Sequence, residues 1–240
     1  MADPYLHHPK QWRVVTLEPV PELGYIERAT SGSTPPTRND NYWNGPFPWL
    51  TPKEVTGRGA SLYVSTSERS LTEVGVQRAG GLLPPNTVML TKRAPVGCVA
   101  INAVPMATNQ GFMSFICGPK LRPLYLAYWL RINRLYLDKV ANGSTYPELY
   151  AGDLQELQIA IPPLSTQDAI LRAVRAVNYL AALGKPMAFA ATSPDELVAI
   201  QRDDATLHDL REQLLPALMS GELNPHICAA FDEGGSDAVR

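Results

Sequence analysis

The sequence predicts an α+β protein: a globular head with a mixed, mainly β core and peripheral helices, followed by a helical arm. Three observations carry this. Short β-prone runs bounded by proline, glycine or turn formers fill most of the first 120 residues. One long apolar helical pattern, Pro123–Ala141, follows them. Beyond Pro162-Pro163 the apolar spacing becomes helical. The segment Asn142–Gln167 joins the halves. Asn142-Gly143 is a helix stop, because glycine tolerates the left-handed conformation. Leu157–Ile161 is a β-prone run, and Pro162-Pro163 ends it because proline lacks an N–H for a ladder. Ser165 or Thr166 then caps a new helix, with Gln167 in its first turn. The expected domains are a head of residues 1–163, an arm of 164–223 and a tail of 224–240.

A chain of 240 residues buries one good core, or one domain plus an appendage. Its 22 prolines favour loops over a helical bundle. No apolar run approaches the roughly 18 residues of a membrane span, and MADPYLHHPK has no apolar core of a secretory signal. Cys98, Cys117 and Cys228 are scattered without metal spacing, which suits a reducing cytoplasm. The net charge of −2 hides an asymmetry. Residues 1–150 hold 15 Lys+Arg against 10 Asp+Glu, a balance of +5; residues 151–240 hold 6 against 13, a balance of −7. Cationic surface attracts phosphate, so the head is the better DNA-facing half and the arm the better protein-facing half. The excess is modest, and chance is the competing explanation.

In chain order, residues 1–24 read as peripheral, with a short strand at Trp12–Leu17; Leu23–Ala29 is a second strand. Thr30–Asp40, TSGSTPPTRND, is a loop of turn formers. Its backbone N–H groups, Ser31, Ser33 and Thr34 hydroxyls, and Arg38 suit phosphate oxygens; a plain surface loop is the alternative. Asn41–Thr51 gathers Tyr42, Trp43, Phe47 and Trp49. Trp49 is assigned to the core, while Tyr42 and Trp43 are open between core and base stacking. Lys53 and Arg58 follow, facing DNA or water, and residues 61–80 form a polar connection with a short helix near Ser70–Val74.

Leu82–Ile101 is a β pattern: a turn at Pro84-Pro85-Asn86, a strand Val88–Thr91, and a second strand Val96–Ile101 with Gly97 at a bulge or close approach. Between the strands stand Lys92 and Arg93. Unpaired buried charge is costly, so the pair needs phosphate, solvent or an acidic side chain. Ala107–Phe112 is a loop before a strand Phe112–Cys117. Its Asn109 and Gln110 amides suit adenine, though holding the loop together is the favoured role. Pro123–Ala141 begins with proline at the first helical position and is broadly apolar.

The arm opens with Ile170, Val174, Val177 and Leu180/Ala181 on one helix face, broken at Gly184-Lys185-Pro186. A second helix starts at Ser193-Pro194-Asp195-Glu196, a capping-box pattern. Ile200, Leu207, Leu210, Leu214 and Leu218 then approximate an a/d seam, interrupted by Asp203 and kinked at Pro216. This short seam suits packing on a partner or on the first arm helix.

Motifs for catalysis are missing. There is no GxGxxG or GxxxxGK[ST], no HExxH, no CxxC, no EF-hand loop and no G-x-S-x-G elbow. The [DNS]PP[YFW] tetrad of amino-methyltransferases and a PD…ExK nuclease pattern are absent too. Polar loops and scattered cations without a catalytic set read as a binder.

The pieces LGYIERATSGSTP, LPPNTVMLTKRAPVGCVAI, ATNQGF, YLAYWL, ANGST, LQIAIPPLSTQ and LREQLLPALMSGEL, in this order and spacing, span about Leu23 to Leu223. Together they resemble the specificity subunit of type I restriction–modification systems. The resemblance implies a target-recognition head that reads one half of a bipartite double-stranded DNA site. It implies a helical spacer that docks methyltransferase subunits. It implies no catalysis and no cofactor in this chain: the modification subunits use S-adenosylmethionine to methylate adenine, and a restriction subunit joins through the complex. DNA contacts are then expected from Ser33, Thr34, Arg38, Lys53, Arg58, Lys92, Arg93, Asn109, Gln110, Ser144 and Thr145. Family members commonly carry two heads and two spacers, whereas this sequence has one of each and no internal repeat. A half-length subunit of this kind would work as a homodimer on a palindromic site. The alternatives are a truncated dimerising modulator, or the recognition part of a restriction enzyme whose catalytic site is unrecognised.

Overall fold

The computed structural model describes residues 8–56, 61–93, 95–141, 148–183 and 215–220. The chain divides into two compact units. One is Val14–Ile159; the other is made of Met1–Arg13 and Ala160–Arg240. The architecture is α+β, as the sequence predicts.

The strands and helices run in this order: β1 (Arg13–Thr16), β2 (Ile26–Thr30), β3 (Trp43–Leu50), α1 (Pro52–Thr56), β4 (Tyr63–Val64), β5 (Arg69–Leu71), α2 (Glu73–Arg78), β6 (Val88–Thr91), β7 (Val99–Asn102), β8 (Ala107–Thr108), β9 (Phe112–Cys117), α3 (Pro123–Ile132), α4 (Arg134–Val140), β10 (Gln158–Ile161) and α5 (Leu164–Leu183). A five-stranded sheet has the order β2-β9-β6-β7-β4, a three-stranded sheet the order β5-β3-β8, and β1 pairs with β10. In the large sheet only the β4–β7 pair is parallel; in the small one β3 runs parallel to β8 and antiparallel to β5.

β6 lies at the middle of the large sheet, and every residue of β6 and β7 is buried. Such strands read as continuous apolar runs, because both faces are covered. α3 packs against β6 and β7. It contributes Tyr125, Leu126, Ala127, Trp129 and Leu130, each buried. A separate cluster joins Met89, Ala100 and Phe112 to Leu50, Val55, Val64, Leu83 and Met106. Each fully buried side chain of this size contributes roughly 1.5–3 kcal/mol. The second cluster, around Trp43, Trp49, Leu71, Ala79 and Ala107, belongs to the small sheet.

The structure departs from the sequence expectations at several points. The N-terminal stretch is not peripheral: Trp12, Val15 and Leu17 are buried. Asn41–Thr51 holds a strand, β3, despite Pro46 and Pro48. The register jumps between Trp43 and Phe47, both opposite Leu71, so the intervening residues leave the ladder. There Asn44 has φ 64°, and Gly45 lies so close to Leu71 that a Cβ would be 2.3 Å from its carbonyl oxygen. The helix expected near Ser70–Val74 starts later, with Thr72 capping α2 by accepting from the Gly75 N–H at 3.1 Å, and Arg69–Leu71 is strand. Ala107–Thr108 also is strand rather than loop. The long helix expected over Pro123–Ala141 breaks at Asn133, whose side-chain amide donates to the Trp129 carbonyl at 2.9 Å.

Neither Ser165 nor Thr166 caps α5. The helix already starts at Leu164, and the Pro163 carbonyl accepts the N–H groups of Thr166 and Gln167. The buried Gln167 amide donates back to the Pro162 carbonyl at 2.9 Å. The expected head boundary at 163/164 falls a few residues inside the second unit. No helix among the described residues is long and apolar enough to cross a membrane.

Candidate nucleic-acid interface

The polar loop after β2 is held from beneath by two indoles. Trp49 Nε1–H donates to the Ser33 carbonyl at 3.1 Å, and Trp43 Nε1–H to the Pro36 carbonyl at 3.2 Å. The two rings meet edge to face, centroids 5.1 Å apart. This arrangement uses both the apolar body and the polar tip of each tryptophan. Trp43, left open by the sequence, is therefore core like Trp49, and both are buried. Side chains tie the loop down further. The Ser31 hydroxyl donates to the Phe112 carbonyl at 2.8 Å, and Ser33 donates through Oγ to the Arg78 carbonyl at 2.8 Å. Gly32 lies against Thr108, where a Cβ would fall 1.9 Å from the carbonyl oxygen.

A second loop meets the first at its tip. Thr34 Oγ1–H donates to Gln110 Oε1 at 2.7 Å, and both residues are exposed. Asn109 Oδ1 accepts from the Gly111 N–H at 2.8 Å, which closes an Asx turn. The loop-holding role favoured for Asn109 is thus present in the structure. Gly111 approaches Pro52 at the start of α1, where a Cβ would be 2.6 Å from the proline ring. Glu54 fixes α1 by accepting from the Thr51 N–H and hydroxyl, both at 2.8 Å, and from the Glu68 N–H at 2.7 Å. Lys53 stands exposed on that helix.

Lys92 and Arg93 adjoin the same loop, because the Lys92 N–H donates to the Gly111 carbonyl at 2.9 Å. The Lys92 carbonyl accepts from the Leu149 N–H at 2.9 Å. This brings in Glu148, whose carboxylate lies 3.7 Å from Lys92 Nζ and 3.5 Å from Arg93 Nη1. Of the three partners open to these cations, an acidic side chain is in place. Lys92 and Glu148 are largely covered, at 14% and 18% exposure, while Arg93 is 45% exposed. Tyr150 donates its hydroxyl to Glu148 Oε2 at 3.3 Å, and the carboxylate pushes the phenol's pKa upward.

Ser33, Thr34, Lys53, Lys92, Arg93, Asn109 and Gln110 are thus brought into neighbouring segments. Arg38 is exposed in the turn beyond Pro36. Arg58, Ser144 and Thr145 lie outside the described residues, as do Ile200, Leu207, Leu210 and Leu214. Leu218 is buried, together with Leu215 and Met219, in the helical stretch 215–220. Sequence reasoning missed Glu148 and Arg69. The Arg69 guanidinium lies 3.4 Å from the centre of the Trp43 ring and 5.7 Å from that of Trp49. Only the register Trp49↔Arg69 brings these residues together, and no local spacing announces it. Among the described residues, no group of three or more His, Cys, Asp or Glu is placed to hold a metal ion. Burial, with Glu27 nearby, pushes the Cys117 thiol up to about 12, so it stays protonated and weakly nucleophilic at neutral pH.

Fold and site together define a class: an α+β scaffold that presents anchored polar loops beside exposed cations. Residues 9–185 match the family model of the type I restriction modification DNA specificity domain, and the chain belongs to that family. It is 36% identical over 165 residues to the type I restriction enzyme MjaIX specificity subunit of Methanocaldococcus jannaschii, covering 68% of this chain and 37% of that protein. The fold is similar to that of a chain from a structural study of complex assembly and conformational transition of the type I R-M system. That similarity has a TM-score of 0.58 at 22% identity, over 90% of this chain and 47% of the other. The HsdS subunit from Thermoanaerobacter tengcongensis gives a TM-score of 0.50 at 21% identity, over 90% of this chain and 46% of that one. The chain therefore spans less than half the length of each of these relatives.

Proposed function

We propose that this chain is a non-catalytic specificity half-subunit of a type I restriction–modification system, acting in the cytoplasm. Its head binds double-stranded DNA in a sequence-dependent way, and its arm dimerises and docks methyltransferase subunits. A homodimer would present two identical heads to a palindromic bipartite site. Restriction subunits would join through the methyltransferase complex, and S-adenosylmethionine would be bound by that partner.

The observation that supports the DNA reading best is the convergence of the loop after β2, held by two tryptophans, with the Asn109–Gly111 turn, α1 and Lys92-Arg93. Hydroxyl, amide and cationic groups on anchored loops are the donors that phosphate and base edges accept. Arg38 and Lys53 are exposed and belong to this loop set.

An adenine-methylation map of the source organism, with and without the gene, tests the role. Loss of a palindromic bipartite motif on deletion is the expected result. Loss of an asymmetric motif would retain the role and replace the homodimer by a pairing with a different half. An unchanged map would sink the specificity role. In vitro, Arg38→Glu with Lys53→Glu should weaken binding to all duplexes and lower the salt slope by about 2, since each phosphate contact adds about 0.9 to it. An unaltered slope removes these two residues from the interface.

A further inference from the structure

Arg69 is held in place without using its hydrogen-bonding edge. Its guanidinium carbon is 3.4 Å from the centre of the buried Trp43 ring, so the ring fixes the plane of the group through its face. Trp49 stands edge-on to Trp43, which closes the corner. Among the described residues, no carboxylate lies within ion-pair distance of Arg69, and no acceptor takes its N–H groups. The residue is exposed. It sits on β5, an edge strand of the small sheet, over the same two indoles that anchor the loop after β2.

A planar fork of five donors, pre-oriented by stacking and left unpaired, matches a coplanar pair of acceptors. Stacking also removes rotamer freedom that a flexible arginine would lose on binding. We propose that Arg69 is a specificity-determining residue, donating in bidentate fashion to the O6 and N7 acceptors of a guanine in the major groove. The inference rests on the DNA-binding reading of the head. The same fork would also fit two phosphate oxygens, so the test separates base from backbone.

Duplexes would be selected from a random library with the full-length chain and with Arg69→Lys, which keeps the charge and loses the fork. The wild-type motif should contain a guanine that becomes unconstrained in the variant, while other positions persist. Affinity for the wild-type motif should fall about tenfold or more. Replacing that guanine by 7-deazaguanine should weaken wild-type binding by a similar factor and weaken Arg69→Lys little further. The base-analogue arm uses unmodified protein, so it stands even where the variant folds poorly. One motif shared by both chains overturns the proposal, whether affinity is unchanged or lowered on all sequences as a phosphate contact would have it. If the wild-type chain binds no duplex, the DNA reading falls and the inference with it.

Discussion

At the scale of single residues, Glu148 acts against the function proposed for its neighbours. Its carboxylate faces both Lys92 and Arg93, so the local balance is one positive charge rather than two. Lys92 is mostly covered, and pairing there is screened less than at an open surface. If the head binds DNA as proposed, the carboxylate would limit non-specific attraction to phosphate and keep the two cations in place for a defined contact. Glu148→Gln should therefore tighten binding to unrelated duplexes several-fold and steepen the salt dependence by about 1. Lys92→Gln with Arg93→Gln should do the reverse. Titrations of a non-cognate duplex from low to moderate salt would decide the matter. Equal slopes for all three chains would show that the triad serves only the fold.

At the scale of elements, Asn102 joins the end of β7 to the turn that starts β6. Its Oδ1 accepts from the Thr87 N–H at 2.8 Å, and its Nδ2 donates to the carbonyls of Pro84 at 2.8 Å and Val104 at 2.9 Å. The residue is fully buried, so removing the amide strands backbone groups away from water. Asn102→Ala should cost about 3 kcal/mol, since each orphaned buried group costs about 1–3. A calorimetric Tm within a degree of wild type would show that water replaces the amide. The elements that the sequence revealed are those whose residues carry their own pattern. β6, β9 and β10 are apolar runs, and Pro123 marks the start of α3. β3 was hidden because Pro46, Pro48 and Gly45 argue against a strand; its register breaks around Gly45 and Pro46, while Pro48 still pairs opposite Ser70. Site residues followed the same division. Polar loops could be read from composition, but Glu148 beside Lys92 and Arg69 over Trp43 arise from pairings distant in sequence.

At the scale of the whole molecule, the charge asymmetry agrees with the proposed division between a DNA-binding head and a protein-binding arm. The first 150 residues carry +5 and the remaining 90 carry −7, so the positive excess lies in the part proposed to bind DNA. The chain spans less than half the length of these relatives, and the proposed site is bipartite. In the proposed half-subunit, a twofold dimer would supply the second head, and its symmetry would dictate a palindrome. The purified chain should sediment at twice its 26.3 kDa mass at micromolar concentration. Leu210→Asp with Leu214→Asp, placing two charges in the expected seam, should shift it toward monomer, because unpaired charge is costly to bury. Binding to the bipartite site should then fall steeply, while binding to a single half-site changes little: the linked second contact contributes through effective concentration, about 10²–10⁴-fold in overall avidity. A wild-type chain that sediments as a monomer yet binds the full bipartite site tightly would remove the homodimer and require both halves to be read by one head.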